Sequence, residues 1–233
     1  MAGTVFLIPT FLHEDAIETI PPYVLASIKK CQVFFVENER TARRYLKKIW
    51  REMVIDDYTW FVIHKAEEAV QQQFKQLLQQ NKNIGIISEA GCPGVADPGQ
   101  FLVNVAQKMG ATVKPLVGPS SILLALMASG MNGQKFQFNG YLPIDATERR
   151  AAIKELENES IRKKVTQIFI ETPFRNNQLL KDLLEQCKPQ TQLCIAVDIT
   201  APSELIQTKS INDWGKKVPD IHKRLGIFLM LAG

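Results

Sequence analysis

Residues 83–99 read NIGIISEAGCPGVADPG, an apolar run that ends in a loop rich in glycine and proline. The run at 83–88 has the length and continuous hydrophobicity of a strand buried on both faces. Three glycines and two prolines fall within the twelve residues 88–99, and a helical pattern follows at 100–109. A further apolar run at 111–116 completes a strand-loop-helix-strand unit. This succession predicts a parallel sheet with helices on both faces.

The same alternation extends along the whole chain. In the first half it predicts strands at 4–9, 32–37 and 58–64, with 53–56 competing for the last, and helices at 21–30, 40–51 and 66–80. In the second half it predicts helices at 122–129 and 147–157, with Thr147 as a candidate N-cap, and strands at 136–141, 165–171, 192–197, 204–208 and 225–231. Short connections between the later strands favour antiparallel pairs. We expect an α/β fold of two α/β domains, 1–116 with a mainly parallel sheet and 117–233 with a mixed sheet.

The composition of the chain narrows the classes of protein to which it can belong. The 233 residues are 45% hydrophobic and 22% charged, which is ordinary globular composition. The net charge of +4 permits an anionic partner without requiring one. No apolar run reaches the roughly 18 residues of a membrane helix, and the N-terminus has no signal-peptide pattern. The four cysteines have no CxxC spacing. We therefore expect free thiols, no metal, no membrane partner and a cytoplasmic location.

Several common catalytic motifs are missing from the chain. It has no GxGxxG after the first strand, no P-loop and no GxSxG elbow. The histidines His13, His64 and His222 are scattered and favour surface positions over ligand or base roles. Cys92 has no base near it in sequence, which favours a small space-filling residue over a nucleophile.

Two loops remain as candidate ligand sites, because ligands of open α/β sheets bind at the carboxyl ends of strands. In the loop at 88–99, Glu89 and Asp97 are placed either to accept hydrogen bonds from a nucleotide-like ligand or to cap the following helix. In the loop at 117–121, Ser120 and Ser121 have the same two alternatives.

A basic stripe marks the predicted helix at 40–51. Six cations recur at helical spacing on one face: Arg40, Arg43, Arg44, Lys47, Lys48 and Arg51. No acid lies between positions 40 and 51, so we expect no neutralisation along the helix itself. Such a stripe either follows a phosphate backbone or forms a solvated face paired with acids from elsewhere.

Seven segments together resemble the tetrapyrrole-methylase-like superfamily, and within it the ribosomal RNA small-subunit methyltransferase I branch. The glycine-rich segment resembles the loop S-D-A-G-T-P-x-x-x-D-P-G. In chain order, the others are LIPT at 7–10 (V-P-T-P), VENER at 36–40 (A-E-D-T-R), LVGPS at 116–120 (P-G-P-S), NGYLP at 139–143 (G-F-L-P), IETPFR at 170–175 (Y-E-S-T-H-R) and AVDIT at 196–200 (A-R-E-L-T).

The resemblance implies a class III methyltransferase that binds S-adenosylmethionine in a cleft between two α/β domains, within a homodimer, and methylates a ribose 2′-hydroxyl of ribosomal RNA. Carried over by motif, the donor-contacting residues are Pro9, Ser88, Glu89, Ala90, Gly91, Val95, Ser120, Ser121, Thr172, Pro173, Ile199 and Thr200. The RNA-binding residues expected on the acceptor side are Arg40, Arg43, Arg44, Lys47 and Arg175.

The chain departs from the family pattern on the acceptor side. Asn38 and Glu39 replace the Asp and Thr of D-T-R, and Val197 and Asp198 replace the Arg and Glu of A-R-E-L-T. Two alternatives therefore stay open: a methyltransferase of a tetrapyrrole or other small metabolite, and a non-catalytic module that binds S-adenosylmethionine or RNA. Glu37 and Glu171 end predicted strands, but no residue is assigned as the catalyst.

Overall fold

The computed structural model describes residues 3–63 and 67–233. The chain forms two compact units, Met1–Ser120 and Ser121–Gly233. The predicted surface histidine His64 and the first residue of the helix predicted at 66–80 lie outside the described residues. In the part of the chain that is described, no helix combines the length and hydrophobicity that crossing a bilayer requires.

The first unit is built on a parallel five-stranded sheet of order β3-β2-β4-β1-β5. Its elements are β1 (Thr4–Ile8), α1 (Tyr23–Ile28), β2 (Val33–Val36), α2 (Glu39–Ile49), β3 (Thr59–Val62), α3 (Glu67–Gln79), β4 (Ile84–Ile87), α4 (Gln100–Lys108) and β5 (Thr112–Pro115). The predicted parallel sheet is confirmed. The competing strand at 53–56 is wrong, because Ile55–Asp57 forms a turn of 3₁₀ helix instead.

Both faces of this sheet are covered, as the continuous apolar strands predict. Along β2, Val33 and Phe35 join one apolar cluster, while Phe34 and Val36 join the cluster on the opposite face. The central strand β4 is buried throughout. A Cβ at Gly85 would lie 2.7 Å from atoms of Ile8 and Phe34, so this position accepts only glycine at the present packing.

The second unit has a mixed five-stranded sheet of order β6-β7-β10-β8-β9. Its elements are α5 (Ser121–Ser129), β6 (Phe136–Tyr141), α6 (Ala146–Lys163), β7 (Thr166–Glu171), α7 (Asn176–Gln186), β8 (Gln192–Val197), β9 (Leu205–Ser210), α8 (Ile211–Lys216) and β10 (Gly226–Leu231). Strands β6 and β7 are parallel, and the other pairs are antiparallel. The predicted mixed sheet with antiparallel later strands is confirmed.

Three local features of the second unit differ from the sequence predictions. Thr147 is not the N-cap of α6, because Asp145 Oδ1 accepts from the amides of Thr147 (2.8 Å) and Glu148 (3.0 Å). Helices α7 and α8 were not predicted, and α8 lies between two of the later strands, where a short connection was expected. Helix α7 forms because Leu179, and with it Leu180 and Leu183, completes a stripe that is buried in the core.

Candidate functional site

The carboxyl ends of four neighbouring strands meet at one edge of the parallel sheet. Ile87 at the end of β4 pairs with Ile8 of β1 on one side and with Val36 of β2 on the other. Pro115 of β5 pairs with Leu7 of β1. The residues that follow these strands therefore lie side by side, and they include Glu37, Pro9, Ser88 and the 117–120 loop.

The start of the glycine-rich loop is fixed by the chain that follows β1. The amide of Thr10 donates to the carbonyl of Gly91 (2.9 Å), and Thr10 Oγ1 donates to the carbonyl of Ser88 (3.3 Å). Ser88 is buried and its hydroxyl donates to carbonyls of the same loop. Beyond this frame, Glu89 and Ala90 are exposed and Val95 is 52% exposed. Of the residues predicted here to contact a donor, Ser88 and Gly91 belong to the frame, and the others present their side chains to solvent.

Asp97 shapes the rest of this loop. Its Oδ1 accepts from the amides of Gly94 (3.1 Å) and Gly99 (2.6 Å), immediately before α4. Asp97 therefore holds the turn that precedes α4, whose N-cap is Gly99 without a side-chain hydrogen bond.

The second predicted loop packs closely against the first. A Cβ at Gly118 would lie 2.1 Å from the Cβ of Pro9, so the backbones approach to a distance that only glycine permits. The thiol of Cys92 donates to the carbonyl of Pro119 (3.5 Å), and burial raises its pKa. This thiol is an internal packing group, as predicted. Ser120, which follows, is half-buried.

Glu37 lies between β2 and the glycine-rich loop. Its Oε1 accepts from the amide of Glu89 (3.0 Å). Burial, a hydrogen bond with the Asp97 side chain and repulsion from Asp97 and Glu89 raise its pKa from 4.5 to about 7, although the Glu89 amide opposes the shift. Glu37 therefore keeps its proton to a higher pH than an ordinary glutamate does.

The basic stripe on α2 is partly neutralised, which corrects the expectation from its sequence. Helix α2 begins at Glu39, whose carboxylate pairs with Arg43 one turn later. The guanidinium of Arg43 also lies over the Trp60 ring, 5.2 Å from its centroid. Lys47 Nζ donates to the carbonyls of Arg51 (2.6 Å) and Met53 (2.9 Å) in the chain that follows the helix.

Two of the three arginines of α2, Arg40 and Arg44, are not paired with a carboxylate in the described parts of the chain. Both are exposed. The helix start itself is fixed by Asn38, whose Oδ1 accepts from the amides of Arg40 (3.0 Å) and Thr41 (3.3 Å). Thr41 Oγ1 in turn donates to Glu89 Oε1 (3.2 Å). The structure thus joins the first turn of α2 to the glycine-rich loop.

In the second unit, the predicted site residues lie at one end of the mixed sheet. Gly226, at the start of β10, pairs with Glu171 at the end of β7 and with Val197 at the end of β8. The Thr172-Pro173 turn and the loop carrying Thr200 therefore extend from the same edge, separated by one strand.

The turn after β7 is held by an internal ion pair. The Arg175 guanidinium contacts Glu171 Oε1 at 2.6 Å, and the same oxygen accepts from the amide of Thr172 (2.6 Å). Glu171 is buried. Arg175 was predicted to bind phosphate, and the structure shows its charge already matched by this carboxylate.

The loop after β8 has strained backbone and an unpaired hydroxyl. Asp198 and Thr200 both have positive φ, +53° and +71°. The amide of Thr200 donates to Glu204 Oε2 (2.7 Å). The buried Oγ1 of Thr200 has no hydrogen-bond partner among the described residues. Strained backbone beside an unsatisfied buried hydroxyl is typical of a ligand site.

Two residues that hold these loops were not predicted as site residues. Thr10 joins the chain after β1 to the glycine-rich loop, and only its place directly after a strand pointed to it. Arg224 donates to Asp198 Oδ2 (2.7 Å) from 26 residues away. A contact over that separation leaves no local signal in the sequence.

The cysteines and histidines that the structure describes show no metal-binding arrangement. Cys31, Cys92, Cys187 and Cys194 are free. Within residues 3–63 and 67–233, no three side chains among His, Cys, Asp and Glu come together to hold a metal ion.

Comparison with known sequences gives a consistent match. The sequence model described as Tetrapyrrole (Corrin/Porphyrin) Methylases matches residues 16–213. Three similar proteins carry the name Ribosomal RNA small subunit methyltransferase I. The one from Pseudomonas aeruginosa is 27% identical over 91% of this chain and 73% of its own length. The protein from Vibrio cholerae is 30% identical over 70% of this chain and 56% of its own length. The protein from Buchnera aphidicola is 34% identical over 67% of this chain and 54% of its own length. The chain thus spans little more than half of the latter two.

Solved structures share the fold at low sequence identity. The methyltransferase CobJ is 16% identical with a TM-score of 0.64, covering 100% of this chain and 95% of that one. A diphthine synthase is 11% identical with a TM-score of 0.67, covering 98% and 89%. At these identities the likeness establishes the two-domain α/β architecture alone.

Proposed function

Because the chain belongs to the Tetrapyrrole (Corrin/Porphyrin) Methylases, a family of methyltransferases whose donor is S-adenosylmethionine, we propose that it transfers a methyl group from this donor to RNA. The acceptor that we propose is small-subunit ribosomal RNA, at a ribose 2′-hydroxyl. The name that these relatives share, Ribosomal RNA small subunit methyltransferase I, supports RNA as the acceptor. We further propose that the protein acts as a homodimer in the cytoplasm, where that RNA is found.

The observation that carries the proposal is the pair of packed loops at the carboxyl edge of the parallel sheet. Gly118 against Pro9, and Gly91 with φ of +73°, give a backbone surface that a flat ligand can approach closely. Glu89 lies exposed beside it as an acceptor for ligand hydroxyl or amino groups. In the second unit, the unpaired hydroxyl of Thr200 is a polar group of the kind that a bound donor satisfies.

We propose that the donor is held by residues of these loops. Those in the first unit are Pro9, Ser88, Glu89, Ala90, Gly91, Val95 and Ser120. Those in the second unit are Ser121, Thr172, Pro173, Ile199 and Thr200. Ser88 and Gly91 contribute through the backbone that they fix, and Glu89 contributes through its carboxylate.

When bound, S-adenosylmethionine supplies an already activated methyl group. The protein therefore has to align the acceptor oxygen and exclude water. Glu171 serves this purpose as a positioning residue, because its carboxylate holds Arg175 and the amide of Thr172 in one turn. Arg40 and Arg44 supply unpaired positive charge for RNA phosphates beside the glycine-rich loop.

The direct test is transfer of radiolabelled methyl from S-adenosylmethionine into an extract of cells that lack the protein, with RNA and small molecules counted separately. We expect label in RNA, at least tenfold less with Glu89→Gln or Ser120→Ala, and unchanged label with the control Glu68→Gln, which changes an exposed residue of α3. Label confined to small molecules would replace RNA with a metabolite as acceptor. Donor binding without label in either fraction would indicate a non-catalytic module.

A further inference from the structure

Phe174 is exposed at the turn that follows β7. The ring is 69% exposed, although it directly follows Pro173, which we place against the donor. A single exposed aromatic residue is not unusual on a protein surface. The residues around Phe174, however, make it part of a preformed surface.

The ring is carried on a rigid support. The amide of Arg175 donates to the carbonyl of Thr172 (2.9 Å), and the amide of Lys223 donates to the carbonyl of Pro173 (2.9 Å). Both flanks of Phe174 are thus fixed by backbone hydrogen bonds. Little conformational entropy remains to be lost when a ligand contacts the ring.

His222 packs edge-on against Phe174, with ring centroids 6.1 Å apart and an interplanar angle of 71°. The loop that carries His222 is itself fixed, because Asp220 Oδ1 accepts from the amide of His222 (3.1 Å) and from Asn177 Nδ2 (2.8 Å). The two rings therefore form one preformed aromatic surface that stays largely in solvent.

The segment that carries His222 is basic. Residues 216–224 read KKVPDIHKR, with four cations and one acid. Arg224 is paired with Asp198 and Lys216 with Asp213, but Lys217 and Lys223 are exposed and pair with no carboxylate in the described parts of the chain. Asp220 accepts hydrogen bonds from two neutral donors and keeps its negative charge. Lys217 and Lys223 are therefore the two cations of this segment that are available to a polyanion.

We propose that Phe174, supported by His222, is the stacking platform for an unpaired base of the RNA substrate, and that Lys217 and Lys223 bind the phosphates beside that base. This inference rests on the proposed function and specifies the form of its substrate. Aromatic rings interleaved with basic side chains are the usual means of holding single-stranded nucleic acid, because every base has a face that stacks. Phe174 directly follows Pro173 of the proposed donor turn, so we expect the stacked base to lie near the acceptor nucleotide.

The test uses an unstructured 15-nucleotide RNA with a single 2-aminopurine, whose fluorescence reports stacking. We expect the full chain to bind it and quench the fluorescence. Phe174→Ala and Phe174→Leu should weaken binding about five- to hundredfold and remove the quenching, as loss of one stacked base does. Phe174→Trp should retain both. Lys217→Gln with Lys223→Gln should lower the salt dependence of binding.

The matched control is Phe136→Ala, which removes a partly exposed phenylalanine of the same unit and should bind as the wild type does. Donor affinity should stay unchanged in all variants. The inference is overturned if the wild type methylates RNA and Phe174→Ala does so with the same KM. It is also overturned if Phe174→Leu binds RNA like the wild type, which indicates an apolar protein contact instead. If the wild type neither binds nor methylates RNA, the proposed function fails and the inference fails with it.

Discussion

The backbone amide of Glu89 donates a 3.0 Å hydrogen bond to Oε1 of Glu37, which ties the end of β2 to the glycine-rich loop after β4. Asp97, which organises that loop through the amides of Gly94 and Gly99, is hydrogen-bonded to the same glutamate. Three acidic residues thus meet where the fold places its candidate ligand loops. The mutual repulsion of these carboxylates favours the protonated form of Glu37.

The first prediction follows from the pKa of Glu37, which is raised from 4.5 to about 7 in the folded chain. Between these two values the folded state holds a proton that the unfolded state has lost, so stability falls as the pH rises from about 4.5 to about 7 and is level above. Glu37→Gln mimics the protonated form. The substitution should therefore remove the pH-dependent fall in the free energy of unfolding, which is on the order of 1 kcal/mol after allowance for solvent screening. Urea unfolding between pH 4.5 and pH 8 measures this free energy for both proteins.

The control for Glu37 is Glu18→Gln, an exposed residue of the same unit, which should preserve the wild-type dependence. Equal pH profiles for wild type and Glu37→Gln would show that the three acids do not share a proton in solution.

The second prediction concerns the close approach of Gly118 to Pro9. In Gly118→Ala the new Cβ would lie 2.1 Å from the proline Cβ, so one of the two loops must move. We expect a loss of about 1–3 kcal/mol in the free energy of unfolding and at least tenfold weaker binding of S-adenosylmethionine. Calorimetry measures both. Gly133→Ala, which meets nothing within 4 Å, is the matched control. Wild-type affinity in Gly118→Ala would remove the 117–120 loop from the donor site.

The third prediction distinguishes Arg40 and Arg44, which form no ion pair in the described parts of the chain, from Arg43, which pairs with Glu39. Arg40→Glu with Arg44→Glu should weaken RNA binding about tenfold or more and reduce the salt slope by about 2, with donor affinity unchanged. Lys75→Glu with Lys82→Glu, an equal charge change on the same unit, should leave RNA binding nearly intact. Arg43→Glu should instead lower thermal stability, because Arg43 pairs with Glu39 and covers Trp60. Equal RNA binding by both double variants would mean that α2 does not contact RNA.

The fourth prediction concerns the buried hydroxyl of Thr200. Since Oγ1 has no partner among the described residues, Thr200→Val should leave the free energy of unfolding unchanged or slightly higher. Donor affinity should fall about five- to twentyfold if the ligand satisfies this hydroxyl. Titration calorimetry with S-adenosylmethionine measures the donor affinity. The control is Thr208→Val, which removes a hydroxyl that donates to the Ser129 carbonyl and should lower the free energy of unfolding while leaving donor affinity unchanged. Unaltered affinity in Thr200→Val would place the donor elsewhere.

The sheet of the first unit was predictable because its strands are short apolar runs separated by turn residues. The continuous burial of β4 and the two-sided burial of β2 follow from that pattern alone. The same holds for the glycine-rich loop, whose composition allows little besides a tight, close-approaching backbone. Local pattern thus sufficed wherever local chemistry determines the conformation.

Contacts between distant residues were not predictable. Arg149 and Asp182 form a buried ion pair across 33 residues, and neither position carries a local signal for it. Glu39 lies one residue before the basic stripe, yet it pairs with Arg43 because the helix starts earlier than the stripe does. Helix α7 was missed because its buried leucines lie between two strong strand signals. In each case tertiary contacts decided the outcome.

Methylation of RNA by this chain is best tested by mass spectrometry of nucleosides from small-subunit ribosomal RNA. The RNA is isolated from cells lacking the protein and treated with the purified chain and isotopically labelled S-adenosylmethionine. We expect label in a single 2′-O-methylated nucleoside, abolished by excess S-adenosylhomocysteine. Label on a base would contradict the proposed acceptor oxygen, and the absence of label from every nucleoside would contradict RNA methylation by this chain.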